Sequence, residues 1–318
     1  TQGYSSAASD VYKRQVIIQT VRQMDSNKAH YLFCYFTGNE PENESVHFAI
    51  SKNGFDFEPV NGGKKIIEQK LGKKCCRDPF IFRNESGGYY IIATDMKCRE
   101  GWNSNNSMVV WESKDLINWH GERIIDFSKI KGSETADRIW APEVLFDKIR
   151  GEYMIYWSHH NVGTEPTVIK YAYTKDFKSL STEPRVLFAP SSGKDGIDAD
   201  IIFNCGKYYL YYKDEYEKTI CIAVSNEITG PYTEAEPRRA CNTDIHLEGN
   251  CMYPLPGGKE YIMIADKYVD GGYYMQKTGD MLHFEPVPDG KFSLNALHPR
   301  HGSVLAISEK EYNALKAL

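Results

Sequence analysis

Three short segments, RDPFIF (77–82), GIDADIIF (196–203) and LEGNCMY (247–253), each set a carboxylate just ahead of an apolar run. The acids are Asp78, Asp198 and Glu248. Carboxylates brought together with partial burial split their proton affinities, so that one holds a proton near neutral pH while another accepts one. That is the equipment of general acid–base hydrolysis. Asp before Pro is also ordinary turn chemistry, so the pattern carries weight only if the chain brings the acids together.

The elements that would do so repeat. A unit ending in Ser or Thr, then a turn and an aromatic residue, occurs five times, at Ser51, Ser113, Thr174, Ser225 and Thr278. The spacing of about 50 to 60 residues is that of propeller blades. A second unit, DPFIFRNESGGYYIIAT from Asp78, matches APEVLFDKIRGEYMIYW from Ala141 without a gap, and DADIIFNCGKYYLYYK from Asp198 with one residue fewer. EGNCMYPLPGGKEYIMIA from Glu248 keeps the order strand, turn, strand. Each repeat therefore holds four strands, which predicts an all-β, five-bladed β-propeller.

The first blade, HYLFCYF plus VHFAIS, lacks an inner strand, and the last apolar run, HGSVLAI from His301, lacks a blade. Pairing the two closes the ring and removes the exposed edges. This register puts Asp78, Ala141, Asp198, Glu248 and His301 at one position, where five inner strands meet at a channel mouth. Two such acids suit glycosidic hydrolysis, a gap of roughly 6.5 to 9.5 Å serving an inverting reaction and roughly 5 to 5.5 Å a retaining one. Acids on different blades favour the wider gap. Asp200 and Glu143 lie two residues further along their strands, on the same face, and are expected to make structural polar contacts.

Arg77, Arg138 and Arg300 flank the mouth and are read as binding sugar hydroxyls or pairing with the acids. Trp140, ahead of its inner strand, and Trp102, in the polar loop CREGWNSNNS, are read as ring faces for a sugar; Trp119 is read as core. His159 and His160 are adjacent, so on a strand they face opposite ways and make a poor metal pair. Cys75 and Cys76 lie beside Asp78 without a histidine to activate them.

The bulk composition sets limits. The 318 residues are 41% hydrophobic, rich in Tyr (22) and Phe (14), and carry a net charge of -5. Without a basic cluster, nucleic acid is excluded as a partner. No apolar run reaches the roughly 18 to 20 residues of a membrane span. Eight cysteines without a CxxC are expected to be reduced and mostly buried. Residues 1–15 read as a disordered or non-native leader, and 16–318 as one propeller domain. The compartment stays open: secreted or periplasmic if a leader preceded Thr1, cytoplasmic otherwise.

The ordered set RDPFIF, WAPEV, GIDADIIF and LEGNCMY, with the closing RHGSVLAIS, resembles glycoside hydrolase family 43, five-bladed inverting enzymes acting mostly on arabinofuranosides and xylosides. The resemblance implies that Asp78 is the general base, Glu248 the general acid, and Asp198 the third acid that keeps the donor protonated. It implies no cofactor for the chemistry, but a calcium or sodium ion in the channel beside His301. Ala199 and Asn250 stand where family members often have Pro, so Asp200 competes with Asp198; the register favours Asp198. The expected activity is removal of terminal pentoses, α-L-arabinofuranose first, from plant carbohydrate. A β-xylosidase, endo-arabinanase, galactosidase or non-catalytic sugar-binding propeller remains an alternative.

Overall fold

The computed structural model describes residues 30–318. The leader expected over 1–15, and the first part of the domain expected over 16–318, lie outside them.

The strands form five antiparallel sheets of four. The first takes β1 (His30–Tyr35), β2 (His47–Ser51) and β3 (Phe57–Pro59). The second is β4 (Cys76–Arg83), β5 (Tyr89–Asp95), β6 (Ser107–Ser113) and β7 (Trp119–Asp126). The third is β8 (Ala136–Asp147), β9 (Glu152–Asn161), β10 (Val168–Thr174) and β11 (Arg185–Phe188). The fourth is β12 (Gly196–Asn204), β13 (Lys207–Asp214), β14 (Thr219–Ser225) and β15 (Thr233–Arg239). The fifth is β16 (Glu248–Pro254), β17 (Tyr261–Asp266), β18 (Tyr273–Thr278) and β19 (Glu285–Pro286). Finally β20 (Gly302–Ile307) pairs with β1, His30 opposite Ile307 and Tyr35 opposite Gly302, and so supplies the missing inner strand of the first sheet. This is the five-bladed propeller that the repeats predict, closed as expected.

The composition of each strand follows from its place. Middle strands such as β13 (KYYLYYKD) and β17 (YIMIAD) are buried on both faces, because each sheet is packed between two others. The core accordingly divides into five apolar clusters, one between each pair of neighbouring sheets. Burial of each large side chain there contributes about 1.5 to 3 kcal/mol. The outer strands β3, β15 and β19 are polar and carry Pro59, Pro237 and Pro286, which blunts the outer edge there.

The recurrent hydroxyls have a shared task. Ser51, Ser113, Thr174 and Thr278 each accept a backbone N–H from the residue three positions on, at 2.9 to 3.1 Å. That third residue is left-handed each time: Gly54, Leu116, Phe177 and Met281. The hydroxyl thus fastens the turn between third and fourth strands. Ser225 does the same with Glu227, two residues on.

Around the axis the inner strands are stitched to one another. Ile81 N–H donates to Ser303 Oγ, Ile201 N–H to the Tyr156 hydroxyl, Met252 N–H to Asp200 Oδ2 and Val304 N–H to Cys251 Sγ. The Tyr156 hydroxyl itself donates to Glu143 at 2.6 Å. Glu143 and Asp200 therefore make the structural contacts expected of them. Helix α1 (Glu309–Lys316) follows β20, capped by Ser308 and Glu311, and buries Tyr312 and Leu315 beneath the first two sheets.

Candidate active site

Four inner strands share one local defect, and the defect makes the site. In β4, Asp78 and Pro79 together face one residue of β5, between the pairs Arg77–Thr94 and Phe80–Ile92. The same two-against-one bulge occurs at Ala141–Pro142, Asp198–Ala199 and Gly249–Asn250. The first residue of each is left-handed, with φ of 50° at Asp78, 46° at Ala141, 54° at Asp198 and 57° at Gly249. Bulges at a rim re-aim side chains. Here the bulged residue and the one before it both turn to the channel mouth, which strict alternation along a strand forbids.

This corrects the register expected for Glu248. Gly249, not Glu248, occupies the position of Asp78 and Asp198, and Glu248 aligns with Arg77, Trp140 and Ile197. Sterics decide it: a Cβ at Gly249 would lie 2.7 Å from Cβ and Cγ of His301. His301 keeps its expected place, since the stitch from Val304 lies three residues beyond it, as those from Ile81, Ile201 and Met252 lie beyond their bulges.

The mouth encloses a cavity of about 320 Å³. Asp78, Asp198, Glu248 and His301 line it, together with Arg77, Trp102, Trp140 and Arg300. Trp102 is 51% exposed at the rim and meets Trp140 edge to face, with ring centroids 6.4 Å apart. Arg77 lies over the rings of Phe36 and Trp102 and bonds Asn39 and Glu44. Arg138 is not part of the lining. Its guanidinium turns to Asp195 at 2.8 Å and Thr167 at 2.9 Å, and lies over the Trp140 ring, 5.1 Å from its centroid. Trp119 packs against Phe48 at the edge of the core, as expected.

The three acids stand in three electrostatic settings. Burial works to raise the pKa of Asp78, but His301 Nδ1 at 3.4 Å, the charge of Arg77 and the Thr94 hydroxyl at 2.9 Å outweigh it and hold the carboxyl below its ordinary range. The contact with His301 is an ion pair without hydrogen-bond alignment. Asp198, 8% exposed, is pushed up to about 6 by burial and by the charges of Glu248 and Asp78, against His301 and Lys213. Its Oδ2 accepts the Gly249 N–H at 2.9 Å. Glu248 is gripped at both oxygens, by Lys213 Nζ at 2.9 Å and by the Arg300 guanidinium at 3.1 Å. His301 itself is driven up to about 9: burial opposes this, and Asp78, Asp198 and Glu143 prevail.

His301, driven up by Asp78 and Asp198, stands as a positive charge between them. Among the described residues no three His, Cys, Asp or Glu side chains converge as a metal site. Nor does a thiol serve as nucleophile, because burial raises Cys75 to about 11 and Cys76 well above the ordinary value. All eight cysteines are free. Burial likewise lowers His159 to about 4, while His160 bonds Asp137 at 2.5 Å.

Sequence reasoning missed Lys213, Glu215, Asp266 and Tyr268, which surround Glu248 from the mouth ends of β13 and β17 and the loops beyond. A lysine closing the run KYYLYYKD, in a strand otherwise buried on both faces, was the available signal. A groove of about 670 Å³ between the third and fourth sheets, around Phe146 and Phe203 at the far ends of β8 and β12, is larger than the mouth but holds none of the three acids. Chemistry, not size, marks the site.

Comparison with known proteins agrees with this geometry. Residues 26–313 match the family described as "Probable glycosyl hydrolase domain", related to glycosyl hydrolase family 43. An alpha-L-arabinofuranosidase of Bifidobacterium longum subsp. longum is 28% identical over 258 residues, covering 70% of this chain. The chain spans about a quarter (24%) of that relative's length. Among solved structures, an endo-1,4-beta-xylanase from Bacteroides thetaiotaomicron superposes with a TM-score of 0.61 at 14% identity, over 90% of this chain and 99% of its own. An alpha-L-arabinofuranosidase from Clostridium thermocellum gives 0.59 at 12% identity, over 82% and 90%. These structural likenesses are of fold, and the family match covers nearly the whole described chain: the protein belongs to the glycosyl hydrolase 43-related family.

Proposed function

We propose that the protein is an inverting, exo-acting glycosidase that releases terminal pentoses, α-L-arabinofuranose first among them, from plant polysaccharide side chains or oligosaccharides. The observation that carries the reading is the convergence of Asp78, Asp198 and Glu248, from three blades, on one cavity. Asp78, held as a carboxylate by His301 and Arg77, takes a proton from water as the water oxygen attacks the anomeric carbon. Glu248 gives its proton to the leaving oxygen as the glycosidic bond breaks. Asp198, with its raised pKa, modulates the charge the other two acids feel. Acids carried on separate blades suit the wider gap, roughly 6.5 to 9.5 Å, that admits the attacking water. A cavity at the small end of ligand pockets suits one terminal sugar. Trp102 and Trp140 offer apolar ring surface to it.

The choice of arabinofuranose follows the 28% identical relative. Aryl α-L-arabinofuranoside and aryl β-D-xyloside, followed by proton NMR with Glu248→Gln as control, test the reading. Inverted sugar from the wild type, with strongly reduced release by the variant, supports it. Retained configuration sinks the roles of Asp78 and Glu248. No release from either glycoside leaves a longer glycan or a non-catalytic binder.

A further inference from the structure

The acid assigned as proton donor has neither oxygen free. Lys213 donates to its Oε2 and Arg300 to its Oε1. Each oxygen thus has one of its two lone pairs directed at a cation, and a proton carried on that oxygen sits beside the cation's own hydrogens, so loosening one grip eases delivery of the proton to a glycoside. Both cations have a second carboxylate to fall back on. Lys213 reaches Glu215 Oε1 at 2.7 Å, and Arg300 bonds Asp266. The groups form a line, Glu215, Lys213, Glu248, Arg300, Asp266, with the donor at its centre.

Lys213 is the grip suited to opening. Its side chain is 3% exposed, and a buried ammonium with no partner is strongly unfavourable. Glu215 removes that obstacle, as does the Tyr268 ring, whose centroid lies 4.0 Å from Nζ. Glu215 also lines the cavity, at the start of a loop whose next residue, Tyr216, is 68% exposed. A glycoside filling the cavity therefore meets the carboxylate that would take over the lysine. Arg300 has less freedom, because its own backbone N–H is tied to Phe36 O at 2.7 Å where β20 joins the ring.

We propose that Lys213 is a positioning residue that orients Glu248 in the empty cavity and passes its hydrogen bond to Glu215 when the glycoside binds, freeing Oε2 to deliver the proton. The proposal rests on the glycosidase reading above. The proton leaving Glu248 ends on the departing alcohol, and the proton taken by Asp78 comes from the attacking water. Solvent exchange then restores both acids.

The test compares leaving groups. A dinitrophenolate departs without a proton, whereas a phenolate needs one, so a fault in proton delivery is felt selectively on the phenyl glycoside. Wild type, Lys213→Met, Lys213→Arg and Glu215→Gln are assayed for kcat and KM on phenyl and dinitrophenyl α-L-arabinofuranosides and β-D-xylosides, with melting curves alongside. Lys213→Met is expected to lose about 10 to 100-fold in kcat on the phenyl glycoside, within the span of general acid catalysis. Its loss on the dinitrophenyl glycoside is expected to be at least about tenfold smaller, with Lys213→Arg recovering part of the difference. Glu215→Gln replaces the fallback carboxylate with a neutral amide oxygen, a much weaker acceptor for an ammonium, and is expected to show the same selective loss in smaller degree. Equal losses on both glycosides make the lysine merely structural, and unchanged or faster phenyl turnover denies it a role; either overturns the proposal. Turnover of neither aryl glycoside by the wild type overturns the terminal-pentosidase reading, and this proposal with it, which is distinct from turnover without leaving-group selectivity.

Discussion

The second and fourth blades carry an aspartate at the first bulged position, and the third blade carries alanine. The backbone does not register the difference: φ is 50° at Asp78, 54° at Asp198 and 46° at Ala141. Ala141 N–H donates to Thr94 Oγ1 at 2.8 Å and Asp198 N–H to Ser158 Oγ at 3.0 Å, each reaching back to the preceding blade. The bulge is thus a property of the ring, and the acid is an occupant of it. Three non-glycine residues sit in a region that costs L-residues roughly 1 to 2 kcal/mol each, so the closed ring, not the carboxylate, sustains the strain.

If fold and chemistry separate in this way, the largest effect should fall on turnover alone. Asp78→Asn is expected to lower kcat about 10²- to 10⁴-fold, the contribution of a general base, with the melting temperature within a few degrees of wild type. Circular dichroism melts beside the aryl-glycoside assay check both halves; collapse of the fold together with activity would merge what the comparison separates. Next comes Gly249→Ala, which places a methyl against His301 in a left-handed residue. Urea unfolding should show a loss of about 2 to 4 kcal/mol, as overpacking and backbone strain add.

A smaller effect, and one that depends on pH, is expected at Asp198. Its folded pKa is raised from 3.8 to about 6. The contribution to stability is therefore fully present below 3.8 and is lost as pH rises through about 6, where the buried carboxyl must ionise. Asp198→Asn keeps an acceptor for the Gly249 N–H but never ionises. Its stability relative to wild type should rise between pH 4 and 7 by on the order of 2 kcal/mol; a difference flat across that window would show that the burial of this carboxyl is compensated. The smallest effect is expected at Ala141→Gly, where relief of the left-handed strain and the added freedom of the unfolded chain oppose each other. The net change should stay within about 1 kcal/mol, and a larger loss would give the Ala141 methyl a packing role of its own.

The blade count, the closing strand and the meeting of the acids were legible because each rests on repetition. Ser51, Ser113, Thr174, Ser225 and Thr278 recur because every blade needs the same turn fastened. Asp78 and Asp198 recur at the same step of their strands. What the sequence concealed lies where repetition stops. The one-residue offset of Glu248 arises from contact between Gly249 and His301, residues on different strands of different blades. Arg138 looks like its neighbours Arg77 and Arg300 in the chain, yet an acid on a distant loop, Asp195, draws it away from the cavity. Lys213 and Asp266 stand at the ends of second strands, outside the repeat of the inner strands, and only the packing of blades four and five brings them to Glu248.

The strand that closes the ring also dates the site. β1 stands near the start of the described chain and β20 near its end, and Arg300 and His301 immediately precede β20. Until β20 has emerged from the ribosome and found β1, the first sheet has no inner strand, Glu248 lacks its grip from Arg300, and Asp78 lacks its histidine. Contacts between such distant segments form slowly, since the intervening loop must close first. The four other sheets are each built from strands consecutive in the chain and are free of that wait. The charges around Asp78 and Glu248 are thus complete only once the ring is closed, and the contacts of Arg300 and His301 report that closure.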